Sequence, residues 1–231
     1  TLDRLEVLRL RLGSKSNEKQ ISSFTKNPLE NSNLLGELFT AISQKQVIEL
    51  HYHVFSKPNE DLQINLNPYL LKEYNRRWYL FAEAETGSKL LNFSLDRIDK
   101  CIALPSHKYR DYDGDINEWF NDIIGVTVLD KSPVYKIIFW VSDSSKDYVM
   151  TKPLHDSQRV LSMDETHILQ NKFPFLKDGV FFRMDCKRNY ELIRELTSFG
   201  ENLLVIEPKD IQNEIHEKIS LLNNNYNKLR T

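Results

Sequence analysis

Three short runs constrain this chain more than anything else in it: Asn67-Pro68-Tyr69-Leu70-Leu71, then Arg76-Arg77-Trp78-Tyr79-Leu80, then Phe93-Ser94-Leu95-Asp96-Arg97-Ile98. Each is apolar or aromatic and broken by turn signals, the sequence form of strands in a small antiparallel barrel. The strands read as Val47 to Phe55, Leu62 to Tyr74, Arg77 to Glu85 after a turn at Asn75-Arg76, and Leu90 to Leu104 after Thr86-Gly87-Ser88. A further strand closing the barrel fits within that last long run.

Helical periodicity precedes the barrel. Leu2, Leu5, Leu8 and Leu12 recur at helical spacing, and a second amphipathic helix runs from about Asn33 to Gln46 with Leu34, Leu35, Leu38, Phe39 and Ile42 on one side. Ser14 to Asn33, rich in Ser, Asn and Lys with a turn at Asn27-Pro28, reads as a linker. Behind the barrel, a connector from Pro105 to Pro133 carries a short helix around Ile116 to Ile123. Val134 to Ser142 then reads as a strand, Ser145 to Met150 as a helix, and Gln158 to Met163, Thr166 to Phe173 and Val180 to Cys186 as strands. Tyr190 to Phe199 is a helix ended by Gly200, Leu203 to Glu207 a strand, and Pro208 opens a last helix to about Leu229. The expected class is α+β: a helical connector over residues 1–46, the barrel over 47–104, a linker over 105–133, and a ferredoxin-like unit over 134–231.

Composition removes several function classes. With 40% apolar and 11% aromatic residues the chain can pack a core, and no apolar stretch approaches the roughly 20 residues of a membrane span. Cys101 and Cys186 stand far apart, which suggests neither a disulfide framework nor a zinc site; the expected compartment is the cytoplasm. Thirty-one basic against thirty-three acidic residues give −2, and the barrel segment, with seven basic and eight acidic side chains, gives −1. Unaided binding of duplex DNA normally needs a basic excess, so any nucleic-acid contact here is local.

The three runs, in their order and spacing, resemble a WYL domain, the ligand-sensing or nucleic-acid-sensing module of many bacterial transcriptional regulators, named for the tripeptide found here as Trp78-Tyr79-Leu80. The second half is similar to the C-terminal extension that accompanies such domains, through Lys152-Pro153-Leu154-His155-Asp156-Ser157-Gln158 and the stretches Ser198-Phe199-Gly200 and Val205-Ile206-Glu207-Pro208. The resemblance implies a barrel of SH3/Sm-like type and a winged helix-turn-helix upstream of Thr1, through which duplex DNA is read. It also implies a homodimer, because such operators are commonly palindromic. A second expectation from a different class is an accessory protein or RNA interaction platform, associated with phage defence, without a DNA-binding head.

Strand alternation sorts the candidate site residues. Trp78 and Leu80 share one face, and Arg77, Tyr79 and Phe81 the other; Trp and Leu make the better core pair, which turns Arg77 and Tyr79 toward a groove, while the opposite parity stays open. Phe93, Leu95 and Arg97 alternate with Ser94, Asp96 and Ile98. Arg97 pairs internally with Asp96 or Asp99, or it meets an external anion; the resemblance favours the anion, since the family presents an Arg and aromatic cluster to its ligand. The expected ligand or nucleic-acid contacts are Arg97, Arg77, Tyr79, His51, Tyr69 and Phe93, with an anionic effector, a nucleotide or a single strand as partner.

Other motifs do not carry chemistry. His51 and His53 share a face but lack a third ligand at useful spacing. Asp111-Tyr112-Asp113-Gly114-Asp115 begins like a calcium loop, yet Ile116 stands where that loop requires Gly. His155-Asp156-Ser157 are adjacent and cannot converge on one substrate atom. Neither a nucleophile elbow nor a Gly-rich phosphate loop occurs in the sequence, so neither enzymatic activity nor a cofactor is expected.

Overall fold

Alternation decides the first strand. In the computed structural model, which describes residues 32–55, 61–127 and 132–230, β1 (Val47–His53) buries Ile48, Leu50 and Tyr52 and leaves Glu49, His51 and His53 partly exposed. The leucine-rich segment Leu2 to Leu12 and nearly all of the polar linker lie outside the described residues. Ahead of β1, α1 (Ser32–Ser43) packs Leu34, Leu38 and Ala41 onto the sheet while Phe39 is exposed. Its end is a Schellman motif: Lys45 takes φ 52°, and the Lys45 and Gln46 N–H groups donate to Ile42 and Ala41 carbonyls.

Four further strands complete the first sheet, β2 (Asp61–Tyr74), β3 (Arg77–Ala84), β4 (Leu90–Ser94) and β5 (Ile98–Leu104), in the antiparallel order β4-β3-β2-β1-β5. Asn75 and Arg76, both at positive φ, form the two-residue turn joining β2 to β3. The sheet does not close into the expected barrel. The long run Leu90 to Leu104 breaks at Leu95–Arg97 into one 3-10 turn, so its two strands go to opposite edges. Ser94 Oγ donates to Asp96 Oδ1 at this break, a local side-chain bond that competes with ladder pairing.

The middle of this sheet is covered on both faces. Trp78, Leu80 and Ala82 of β3 join Leu50, Leu66, Phe93 and Leu95 beneath α1, whereas Tyr79 and Phe81 pack against the connector through Tyr112, Ile116, Trp119 and Phe120. The helix expected over Ile116 to Ile123 is a shorter 3-10 turn, Ile116–Phe120, capped by the Asp115 side chain on the Asn117 N–H at 2.9 Å.

The second sheet holds β6 (Val134–Ser142), β7 (Arg159–Val160), β8 (Gly179–Lys187) and β9 (Leu203–Glu207) in the antiparallel order β7-β8-β6-β9. Between them run α2 (Lys146–Thr151), α3 (Met163–Lys172) and α4 (Tyr190–Ser198), with α5 (Lys209–Lys228) last. Ile137, Phe139, Phe182 and Met184 face Leu192, Ile193 and Leu196 of α4, while Ile138, Trp140 and Phe181 face Leu161, Leu169 and Leu176. Two expected strands are corrected here. Thr166 to Lys172 belongs to α3, with Phe173 as its C-cap and a capping box between Ser162 and Glu165 at its start, and Gln158 to Met163 keeps only the two strand residues of β7. No helix among the described residues is long and apolar enough to cross a membrane.

One buried side chain ties the connector to the second sheet. Asn189, 1% exposed, accepts the Leu192 N–H at 2.8 Å as the cap of α4, and its amide donates to the Ile124 carbonyl at 2.8 Å and the Thr127 carbonyl at 2.9 Å. Asn189→Ala removes the cap and leaves two carbonyls unpaired, at a cost of about 2 to 3 kcal/mol. Urea unfolding should show that loss, with Asn189→Ser recovering the capping share; an unchanged midpoint for Asn189→Ala would contradict the clamp.

Candidate functional site

Where the two sheets meet through the connector, they enclose a polar cleft of about 470 Å³. One wall is the start of β3 and its neighbours. Arg77 and Tyr79 project from β3 on the face opposite Trp78 and Leu80, Ser94 lies across from Tyr79 in the ladder, and Arg97 enters from the 3-10 turn. The facing wall is α4, which packs Leu192, Ile193 and Leu196 inward and turns Tyr190, Glu191 and Arg194 toward the cleft. Val126 and Thr127 of the connector form the third side.

The three arginines are held differently. Arg77 stands 3.5 Å from Asp96, and both are well exposed, so the pair is weak. Arg97 has its guanidinium 4.8 Å from the Tyr52 ring and 4.8 Å from the Phe55 ring, and among the described residues no carboxylate lies within ion-pair distance of it. Stacking on rings fixes the plane of a guanidinium and leaves its N–H edge available for an acceptor. Arg194 donates to the Tyr74 hydroxyl at 3.0 Å, which draws it across from α4 to β2. Burial pushes the Tyr74 and Tyr79 hydroxyls up, against the opposing pull of Arg194 and Arg77, so both stay neutral at physiological pH.

Glu191 opposes this positive set. It is 5% exposed, and its Oε1 accepts the Thr127 hydroxyl at 2.8 Å and the Thr127 and Val126 N–H groups at 3.2 and 3.4 Å. Gly125, at φ +82°, lies so close that a Cβ there would sit 2.6 Å from Glu191 Cγ. The second oxygen, Oε2, is buried and has no hydrogen-bond partner among the described residues. Leaving such an acceptor unpaired costs on the order of 1–3 kcal/mol.

The cleft therefore gathers Arg77, Arg97 and Tyr79 of the residues expected from sequence. It does not gather His51, Tyr69 or Phe93. Phe93 is core, edge-on to Tyr52 at 5.1 Å, and His51 bonds Glu49 at 2.8 Å on β1. Tyr69 is the extra residue of a bulge in β2 and packs among Tyr109 and Tyr112, with its hydroxyl donating to Glu83 at 3.2 Å. Arg194, Glu191 and Tyr74 escape sequence reasoning because only the packing of α4 against the first sheet makes them neighbours.

Other groupings are structural. His155 Nδ1 meets Ser157 Oγ at 2.7 Å, Ser157 Oγ donates to the Asp185 carbonyl, and Asp156 is exposed, so the three form a turn. His53, Asp61 and Asp99 bring ligand atoms within 4.8 Å of one another, but the carboxylates are exposed and the His53–Asp61 contact of 3.5 Å is that of a surface pair. Two larger grooves, about 750 Å³ beside α3 and about 760 Å³ beside α1, gather no comparable set of opposed charges.

The aromatic cluster around Tyr69 makes its own prediction. Burial, with the Glu83 charge, pushes the Tyr69 hydroxyl up to about 12, and burial does the same for Tyr109. A tyrosine pKa raised in the folded state contributes stability that is complete below its ordinary value of 10.0 and is lost as pH rises toward about 12. In an ultraviolet titration these tyrosines should ionise last and only with loss of the fold; ionisation of all tyrosines near 10.0 in folded protein would contradict their burial.

Residues 33–102 match the family model of the WYL domain. Among solved structures the chain is similar to the crystal structure of a CRISPR Cas-related protein, at 12% identity and a TM-score of 0.50, over 85% of this chain and 53% of that one. It is also similar to proteasome accessory factor B/C (PafBC) of Arthrobacter aurescens, at 13% identity and a TM-score of 0.34, over 87% of this chain and 28% of that one. The chain thus spans about half of the first protein's length and less than a third of the second's. No curated protein matches the sequence.

Proposed function

We propose, from the premise that residues 33–102 are a WYL domain, that this chain is the ligand-sensing or single-strand-sensing part of a bacterial transcriptional regulator. The cleft between the two sheets is the sensing site, and its ligand is a small anionic effector, a nucleotide or a single-stranded nucleic acid. One observation carries this reading: Arg77, Arg97 and Arg194 reach one polar cleft from three separate elements in a chain whose net charge is −2. Positive charge is concentrated here without a general basic surface.

An anion in the cleft accepts from the fixed edge of Arg97 and draws in Arg77 and Arg194, while Tyr79 and Tyr190 offer flat faces to a base. Because Arg194 rides on α4 and the others on the first sheet, a ligand bridging them ties the two sheets together. That coupling is the means by which occupancy reaches an upstream winged helix-turn-helix, which reads duplex DNA as a homodimer. The strand orders support the finer assignments: an SH3/Sm-like arrangement for the first sheet and a split βαβ, ferredoxin-like one for the second. No catalytic role belongs to this reading.

A second reading, an accessory interaction platform, is favoured by the outer half of α5 and its C-cap, which expose Ile219, Leu222, Tyr226 and Leu229 at alternating spacings of three and four.

The sensing reading is tested with a labelled single-stranded oligonucleotide of mixed sequence and with inorganic pyrophosphate as probes. Arg97→Ala should weaken binding by about 1.5 to 3 kcal/mol, the worth of a charged hydrogen bond. Arg97→Lys, which keeps the charge but loses the planar edge, should recover only part of it. Equal binding by Arg97→Lys and the parent, at equal melting temperature, would place recognition on another face.

A further inference from the structure

We infer that the groove beside α1 is the seat of the chain's own leucine segment, residues 2–12, which packs there as a second helix alongside α1. The docking does not depend on what the cleft binds. Its cause is a shortfall in cover over the first sheet. Five strands about 4.8 Å apart make a face about 19 Å wide, and one helix spans about 10 Å of it. Leu80, Phe93 and Leu95 join the core under α1, but at the edge strand β5 the described residues leave a groove of about 760 Å³. Its floor belongs to the apolar face. Ala103 and Cys101 stand across from Ile48 and Leu50 of β1 and share their side of the sheet, yet Ala103 is exposed and Cys101 is half-buried.

The lip that α1 contributes suits a close neighbour. Gly36 stands inside the helix without a positive φ to require it, and among the described residues nothing lies within 4 Å of where its Cβ would be. Glycine inside a helix is less stable than alanine, so this one has no cause among the described residues. A helix seated against the lip supplies the cause. One turn on, Thr40 spends its hydroxyl on the Gly36 carbonyl at 2.8 Å, so the lip asks for no polar partner.

Position, tether and charge select the occupant. The described residues begin at Ser32, the first residue of α1, so residues 1–31 enter one turn before the lip. Among them Leu2, Leu5, Leu8 and Leu12 fall on one side of a helix about 16 Å long, against about 18 Å for α1. Tethered through residues 13–31, this stripe competes at an effective concentration of about millimolar, which a free partner does not match. Glu37 is the one charged side chain among those lining the groove, and the segment carries Arg4, Arg9 and Arg11 against Asp3 and Glu6.

The test uses the full chain and the Cys101 thiol as reporter, with N-ethylmaleimide labelling followed by peptide mass spectrometry. Burial pushes that thiol up to about 11, so rates are compared at one pH; Cys186 is fully buried and serves as the internal reference. The double variant Leu5→Asp, Leu8→Asp should label at Cys101 tenfold or more faster than the parent, with an unchanged circular dichroism spectrum of the two sheets. Leu5→Cys or Leu8→Cys should form a disulfide with Cys101 of the same chain on mild oxidation. Gly36→Gln should lower the melting temperature and speed labelling, because the new side chain displaces the segment. Equal labelling of parent and double variant overturns the inference, as does a higher melting temperature for Gly36→Gln with labelling unchanged, which is the behaviour of an empty groove. Disulfides formed only between chains also overturn it, since the occupant is then a second copy.

Discussion

The clamp of the connector on the start of α4 is the constraint on which the rest of this structure depends. Asn189 and Glu191, both nearly fully buried, hold the carbonyls and N–H groups of residues 124–127 that would otherwise be unpaired backbone between two sheets. Asn92 of β4 grips the same strap from the other side, donating to the Val126 carbonyl at 2.8 Å. The strap is thereby bonded to both sheets, and the cleft is the space left between its two anchors. Gly125 is required at its centre, because positive φ and the approach of Glu191 exclude any side chain there.

Charge is distributed to the same end. A chain with slightly more acidic than basic residues has no general positive field. Three guanidinium groups lie within one cleft and are held differently: Arg77 by a loose surface pair, Arg194 by a hydrogen bond to a tyrosine hydroxyl, and Arg97, among the described residues, by aromatic faces. Among the described residues no carboxylate takes up the donor edge of Arg97, and the rings that hold it belong to the core and its margin rather than to the cleft.

Much of this was legible in the sequence where local chemistry decides. The Asn75-Arg76 turn and the parity of Trp78 and Leu80 each follow from residue type and spacing, and the α+β class with two antiparallel sheets follows from the order of the elements. Misreadings came where a local signal was overridden or missed. Ser94 and Asp96 turn the chain out of the strand that Phe93 to Ile98 suggests, so the sheet stays open. A one-residue bulge moves Tyr69 into an aromatic cluster away from the cleft. The Ser162 and Glu165 capping box was present in the sequence and marks α3, yet the apolar residues that follow read as a strand. Arg194 and Glu191 had no local signal at all, since their role depends on contacts between distant segments, with Thr127 for Glu191 and Tyr74 for Arg194.

That the cleft is shared, and that filling it couples the two sheets, is tested most directly by hydrogen exchange of the full chain with and without a mixed-sequence single-stranded oligonucleotide. The account predicts that added ligand slows exchange together at three places: residues 74–79, residues 92–97, and the connector with the first turns of α4, residues 124–127 and 190–194. Protection confined to the first sheet, with α4 and the connector unchanged, would contradict it.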